Sequence, residues 1–208
     1  MTVIALNPRK LPRQERSRAL YEAILDAAAR ILTVQGREAL NTNLVAEKAG
    51  VSIGSLYQYF PNREAIIAAV ANRHFHRVYH HVADLDLATD TTLETAIARI
   101  ARGLFAAHSI DPVLHVVLDG DLPHSHDVAH DHHHGGTKDA MIDHIRNLSP
   151  SIRAEIRRSD LDLAAFTVAE LVHALAHAAI VHPHCQRGAR EFEQEAVSAA
   201  VAYLRVAG

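Results

Sequence analysis

Hydrophobic positions recur along most of this chain at steps of three and four residues, the period of an amphipathic α-helix. The clearest early example is 17–35, with apolar residues at positions 20, 24, 27, 28, 31 and 32. The same spacing predicts a long helix after Asn62, another helix over 91–108 and a strongly apolar helix from Leu161. A last helix is predicted over 190–206. We therefore expect an all-α chain of about nine helices.

Between the first two long helices, residues 42–63 are predicted to form two short helices joined by a tight turn. Thr42 is a candidate cap for the first helix, because its hydroxyl can accept a backbone N–H bond. Gly50 suits the left-handed conformation that ends a helix. Ser52 is a cap for the second helix, which Pro61 ends. Helix, glycine-containing turn and helix form the outline of a DNA-binding helix-turn-helix motif.

The side chains of the second short helix suit a nucleic-acid surface. Gly54 and Ser55 are small, so the helix could approach base edges closely. Tyr57 and Tyr59 carry phenol groups that suit phosphate oxygens, and both are expected outside the core stripe. Arg63 opposes the dipole of the helix it begins, which suggests a phosphate partner.

Two segments, AEKAGVS at 46–52 and GSLYQYFPNREAI at 54–66, resemble the DNA-binding domain of the TetR family of transcriptional regulators. The resemblance covers about residues 14–80, and beyond them it is one of helix layout. It implies an N-terminal three-helix helix-turn-helix domain followed by a C-terminal helical domain for ligand binding and dimerisation. The expected boundaries are a flexible basic arm over 1–14, a DNA-binding domain with its connecting helix over 15–83, and an effector domain over 84–208.

The resemblance also implies which residues meet double-stranded operator DNA. Ile53, Gly54 and Ser55 would approach base edges, and Ile53 departs from the polar or basic residue of many relatives. The predicted DNA-binding set is Thr42, Asn43, Ser52, Ile53, Gly54, Ser55, Tyr57, Tyr59, Arg63 and Arg13.

Charge divides the chain in the same way. The net charge is −3, but residues 1–83 hold 11 Lys and Arg against 6 Asp and Glu, whereas the remainder is acidic. A basic N-terminal third is expected where one end of a protein meets a polyanion. The single cysteine, Cys185, excludes an intrachain disulfide and fits a reducing compartment. We expect a cytoplasmic, nucleoid-associated protein without a membrane span.

The C-terminal helices over about 161–181 and 190–206 are similar in layout to those through which TetR-family subunits pair. They imply a homodimer on a palindromic operator. The predicted function is a repressor released by an unknown small-molecule effector, with no required cofactor. The candidate effector-binding residues are Leu104, Phe105, Leu114, Phe166 and His173.

Histidines leave an alternative open. The segment 124–134 contains six of them, and solvated side chains, metal buffering and a sensory metal site all remain compatible with it. Two pairs at i, i+4 spacing are candidate metal ligands, with zinc or nickel as the candidate ion: His126 with His130, and His173 with His177. A metal-responsive regulator is therefore the second hypothesis.

An enzyme is the remote alternative. Glu170 and His173 form one Glu-x-x-His pair, whereas a di-metal helical bundle needs two such pairs and two further glutamates. Nucleophile-elbow and phosphate-loop motifs are absent from the sequence. The prediction is a protein that is not an enzyme.

Overall fold

The computed structural model describes residues 6–119, 134–181 and 188–208, and within them it contains ten α-helices and no strand. The predicted all-α class is therefore confirmed. A short 3-10 turn, Arg37–Ala39, follows the first helix. The helices are α1 Glu15–Gln35, α2 Thr42–Ala49, α3 Ile53–Tyr59, α4 Arg63–Ala83, α5 Leu93–His108, α6 Pro112–Asp119, α7 His134–Arg146, α8 Pro150–Arg153, α9 Leu161–Val181 and α10 Ala189–Arg205.

The chain divides into two compact units. Unit 1 contains residues 1–74 and 113–131, and unit 2 contains residues 75–112 and 132–208. α4 is one continuous helix that contributes its first half to unit 1 and its second half to unit 2. The apolar stripe predicted for α4 is buried along its whole length, from Ile67 to Val82.

Unit 1 is built on α1, which packs against α2 and the 3-10 turn. The buried face of α1 carries the residues that its periodicity predicts, including Ile24, Ile31 and Leu32. Gly36 ends α1 with a positive φ of 78°. Arg73 of α4 donates to Glu22 and Asp26 of α1 at 2.8 and 2.7 Å, so an ion-pair network joins these two helices.

The helix-turn-helix has the predicted turn and one different cap. Gly50 is left-handed, with φ 67° and ψ 30°, and Ser52 accepts the Ser55 N–H at 3.1 Å. The prediction that Thr42 caps α2 is wrong. The cap is Asn41, whose side chain accepts the Leu44 N–H at 2.9 Å. Thr42 is instead the first helical residue, and its hydroxyl is available elsewhere.

Unit 2 is a helical bundle in which α9 packs against α5, α7 and α10. Thr92 caps α5 by accepting the Thr95 N–H at 3.2 Å. The core includes Ile97, Leu104 and Met141, each at most 1% exposed.

α9 differs from its prediction. Its length and apolar composition predict a helix buried on two sides, but within the described part of the chain its buried residues lie on one side. The covered side carries Ala164, Ala165, Val168, Ala169, Val172 and Ala176. On the other side Leu163 is 58% exposed and Phe166 51% exposed. By length and composition alone α9 could cross a membrane, with a mean hydropathy of 1.6, a property that the sequence analysis did not anticipate.

The alanines of α10 are partly buried in the core and partly exposed to solvent. The sequence places Ala196, Ala199 and Ala200 on one contact side. Ala196 and Ala200 are fully buried in the core of unit 2, whereas Ala199 is exposed. Close helix packing by these alanines is therefore largely internal to the chain.

Candidate nucleic-acid interface

The outward face of α3 is small, polar and open to solvent. Gly54 and Gln58 are exposed, and Ile53 and Tyr57 are each 39% exposed. The opposite face is buried, as predicted for Leu56, which is fully covered. A Cβ added at Gly54 would meet only the Ser52 hydroxyl, at 3.9 Å, so the space above this residue is free. An exposed helix face with small side chains suits close approach to the edges of bases in a DNA groove.

Hydroxyl groups join the start of α2 to α3. The Thr42 Oγ1 lies 3.1 Å from the Tyr57 phenol oxygen, which is hydrogen-bond distance. The bond holds the Tyr57 ring in one position, and each hydroxyl keeps further hydrogen-bonding capacity. Asn43 is exposed beside Thr42. Hydroxyl and amide groups of this kind contact phosphate oxygens in protein–DNA complexes.

Ser52 and Ser55 are partly committed to local structure. The Ser52 hydroxyl oxygen accepts the Ser55 backbone N–H, and it also lies 2.8 Å from the Ser55 hydroxyl oxygen. Ser55 is half-buried, whereas Ser52 is exposed.

Gln58 was not predicted as a DNA-binding residue, but it lies one turn beyond Gly54 on the exposed face. A count of four residues from Gly54 would have found it. Its amide is the type of group that pairs with adenine.

The predicted position of Tyr59 outside the core is wrong. Its side chain is only 5% exposed. Its ring meets Tyr21 edge-on, with centroids 5.8 Å apart, and Tyr21 stacks on Phe60 at 5.0 Å. Burial, with a smaller effect from Glu22, raises the pKa of the Tyr21 phenol, while Arg73 opposes the change. Tyr59 therefore belongs to an aromatic cluster that supports α3 from behind.

The reasoning that Arg63 needs a partner outside the chain is also wrong. It rested on the unfavourable position of a cation at the start of a helix. In the structure its Nε donates to Glu64 Oε1 at 2.9 Å, and its Nη1 lies 3.4 Å from the Leu40 carbonyl oxygen. The guanidinium therefore has partners within unit 1. Asn62 caps this helix as predicted, accepting the Ala65 N–H at 2.7 Å.

The basic segment before α1 contacts the end of α3. The Arg9 backbone N–H donates to the Tyr59 carbonyl at 2.7 Å, and its guanidinium donates to the Tyr57 carbonyl at 3.1 Å. The Lys10 ammonium lies 5.1 Å from the centre of the Tyr59 ring. A cation at a helix C-terminus is favoured by the helix dipole. Arg13, from the predicted DNA-binding set, is exposed just before α1.

The residues proposed for effector or metal binding lie in several places. Leu104 and Phe105 are buried in unit 2, and Leu114 is buried in unit 1. The His173 ring meets the buried His108 ring, with centroids 5.3 Å apart. A groove of about 420 Å³ along α5 and α10 contains none of the five effector candidates, and half of its lining residues are charged. His177 is half-buried, and His126 and His130 lie outside the described residues.

Taken with this geometry, the fold and the exposed α3 face define a helix-turn-helix protein with a separate helical C-terminal unit. Two family profiles agree with that class. Residues 24–70 match "Bacterial regulatory proteins, tetR family", and residues 92–204, more than half of the chain, match "Tetracyclin repressor-like, C-terminal domain". The chain belongs to the TetR family.

One relative is the transcriptional repressor KstR of Mycolicibacterium smegmatis, which is 35% identical over 78 residues. That match covers 38% of this chain and 38% of the relative, so it spans about two fifths of each. Among solved structures, a TetR-family regulator of Mesorhizobium loti superposes with a TM-score of 0.72 at 20% identity, covering 92% of this chain and 98% of the other. The SmeT–triclosan complex superposes with a TM-score of 0.62 at 21% identity, covering 88% and 90%.

Proposed function

We propose that this protein is a dimeric transcriptional repressor that binds a palindromic DNA operator through α2 and α3. The observation that carries the proposal is the open face of α3, where Gly54, Tyr57 and Gln58 surround the exposed Ile53. Ile53 would contact a thymine methyl group and Gln58 an adenine edge, while Thr42 and Tyr57 bind phosphates. The name of the relative KstR, a transcriptional repressor, supports the direction of regulation.

Dimerisation accounts for the uncovered side of α9. Leu163 and Phe166 are large apolar side chains at helical spacing, each more than half exposed in the single chain. An apolar surface of this kind is typical of a protein–protein interface. α10 adds the exposed Ala199 and Ala202. We propose that α9 and α10 pair with their copies around a two-fold axis, which places two α3 helices on one palindrome. We place Phe166 at this interface instead of in an effector pocket.

A small-molecule effector completes the proposed mechanism. The triclosan complex of SmeT, a protein of the same fold, supports a small apolar ligand. Leu104 and Phe105 of α5 provide buried apolar surface, and His173 provides a ring nitrogen near the buried His108. The effector must bind the two conformations of the dimer with different affinities, since otherwise it shifts no equilibrium. A cytoplasmic location follows from this function, and the proposal requires no metal or catalytic group.

Selection of duplex DNA from a random library tests the central claim. We expect the wild-type protein to enrich an inverted repeat. Gly54→Leu should abolish that enrichment, because the new side chain occupies the open space needed for close approach. The same change should preserve thermal stability, since leucine favours a helix more than glycine does. Ala106→Leu introduces the same side chain at an exposed position of α5 and should leave the enriched sequence unchanged. Failure of the wild-type protein to enrich any sequence at moderate salt would overturn the proposal.

A further inference from the structure

The second half of α4 carries two exposed histidines one helical turn apart. His76 and His80 both belong to unit 2. Their Nε2 atoms lie 3.2 Å apart, and their ring centroids 4.4 Å apart. Residues at i and i+4 share one face of a helix, so the backbone itself holds the two rings together. Neither residue belongs to the proposed DNA surface.

This separation fits a pair of metal ligands. An imidazole nitrogen binds zinc at about 2.0–2.1 Å, and zinc sites are close to tetrahedral. Two such nitrogens on one ion therefore lie roughly 3.3–3.4 Å apart, close to the distance between the two Nε2 atoms. In the ion-free protein, the same distance suits one hydrogen bond between the rings. A cation would replace the shared proton without requiring either ring to move far.

The carboxylate of Asp84 lies where it supports metal binding by His80. Its Oδ2 atom lies 3.4 Å from His80 Nδ1, one further turn along the helix face. A carboxylate there favours the tautomer with the proton on Nδ1, which leaves the Nε2 lone pair directed at His76. Metal-binding histidines commonly have such a carboxylate on the second nitrogen. The ring of Tyr79 also meets the His80 ring at 5.2 Å and restricts its rotation.

We propose that His76 and His80 form a binding site for one divalent cation of the zinc, nickel and copper group, held by their two Nε2 atoms. Imidazole is a preferred ligand of these ions. Within the described ranges no cluster of three metal-binding side chains exists, so water completes the coordination. The His80 side chain is 48% exposed, which gives water and the ion free access. The site is distinct from His126, His130, His173 and His177, the candidates that the sequence suggested.

A residue-resolved experiment is needed because the chain contains 17 histidines. We would modify the full-length protein with diethyl pyrocarbonate, which attacks free imidazole nitrogens, and measure each histidine by mass spectrometry across a zinc titration. We expect zinc to slow the modification of His76 and His80 severalfold and with a single shared midpoint. Unchanged rates at both residues up to millimolar zinc would overturn the proposal.

Three variants separate a chelate from independent weak binding. In His80→Gln, zinc should no longer protect His76, although His81, the next residue along the chain, is unchanged. In His81→Gln, the matched control, protection of both residues should be unchanged. Continued protection of His76 in His80→Gln would contradict the site. Asp84→Asn should shift the shared midpoint to up to about tenfold higher zinc, since loss of such a carboxylate weakens metal affinity. All three positions are exposed, so folding should be preserved, and circular dichroism verifies this.

Discussion

Among the residues that the structure describes, α3 and α9 each have one exposed side, and the two exposed sides have opposite chemistry. α3 exposes a glycine, an amide and a phenol around one aliphatic residue. α9 exposes Leu163 and Phe166. A surface that meets a hydrated polyanion must keep polar groups for phosphates and base edges. A surface that meets another protein gains most from apolar burial. The contrast agrees with the partners proposed above, DNA for α3 and a second copy of the chain for α9.

The two helices also differ in what holds them in place. α3 has only seven residues, too few to be stable as an isolated helix. It depends on the Ser52 cap, the left-handed Gly50 and the buried Leu56. α9 has 21 residues and a continuous covered side in the core of unit 2. α3 is therefore held by a few specific contacts, and its geometry should respond sharply to their loss.

The largest expected effect comes from the covered side of α3. Leu56→Ala removes a fully buried side chain and should lower the free energy of unfolding by roughly 2–5 kcal/mol. Urea unfolding followed by circular dichroism measures the loss. Ile53→Ala, three residues earlier on the exposed face, should change stability by at most about 0.5 kcal/mol while altering the preferred operator. Equal destabilisation by the two variants would contradict the division of α3 into a buried and an open face.

Charges on the uncovered side of α9 should separate the subunits. In Leu163→Glu combined with Phe166→Glu, like charges would face each other across the two-fold axis of the proposed dimer. Loss of these apolar contacts should weaken association by roughly 2–4 kcal/mol. Light scattering after size exclusion would then report a monomer with unchanged helical content. Val34→Glu is the control, because Val34 is a 73% exposed residue of α1. A double variant that remains dimeric would remove α9 from the interface.

A smaller effect is expected at the hydroxyl pair. Tyr57→Phe removes the phenol oxygen that lies 3.1 Å from Thr42 Oγ1. Operator affinity should fall by about 1 kcal/mol, roughly fivefold, because one hydrogen bond to phosphate is lost. Stability should be nearly unchanged, since the ring remains and the site is exposed. Fluorescence anisotropy with the selected operator measures the affinity. Thr42→Val should produce a similar loss, and wild-type affinity in both variants would exclude the pair from the DNA contact.

Local signals account for what the sequence predicts correctly. Gly50, Ser52 and Asn62 act through bonds to residues no more than four positions away, so their residue types and spacing are sufficient. The amphipathic stripe of α4 is equally local in origin. The cap at Asn41 was missed because Asn and Thr are both good caps and stand side by side. Geometry alone decides between them.

The errors have both local and distant causes. Tyr59 follows Leu56 by three residues and therefore shares its helical face, a local signal that the prediction overlooked, and Tyr21 of α1 packs against its ring. Arg9 reaches the Tyr57 carbonyl from 48 positions away, a contact for which no sequence signal exists. The exposed side of α9 could not be predicted either. Composition indicates that a helix is apolar, but it does not indicate whether its apolar residues pack within the same chain or against another one.

The smallest predicted effect concerns the acid stability of unit 2. Glu155 accepts the Leu93 N–H at 2.9 Å with one oxygen and the Arg205 guanidinium at 2.7 Å with the other. The bond from Arg205, followed by the bond from Leu93, lowers the pKa of Glu155 below its ordinary value. A lowered carboxyl pKa stabilises the folded state above the pKa of the unfolded chain. That contribution is lost as pH falls through the folded-state pKa.

Glu155→Gln tests this linkage directly. The variant should melt below the wild type at neutral pH, because the amide forms a weaker bond to Arg205. The difference should narrow as pH falls below the ordinary carboxyl range, since the wild-type side chain then becomes neutral as well. Melting temperatures measured across that range by differential scanning fluorimetry provide the comparison, with the exposed Glu38→Gln as control. If the difference in melting temperature between Glu155→Gln and the wild type stayed constant with pH, the charge of Glu155 would not be the source of its stabilising effect. The acid sensitivity of unit 2 would then have to arise from other carboxylates.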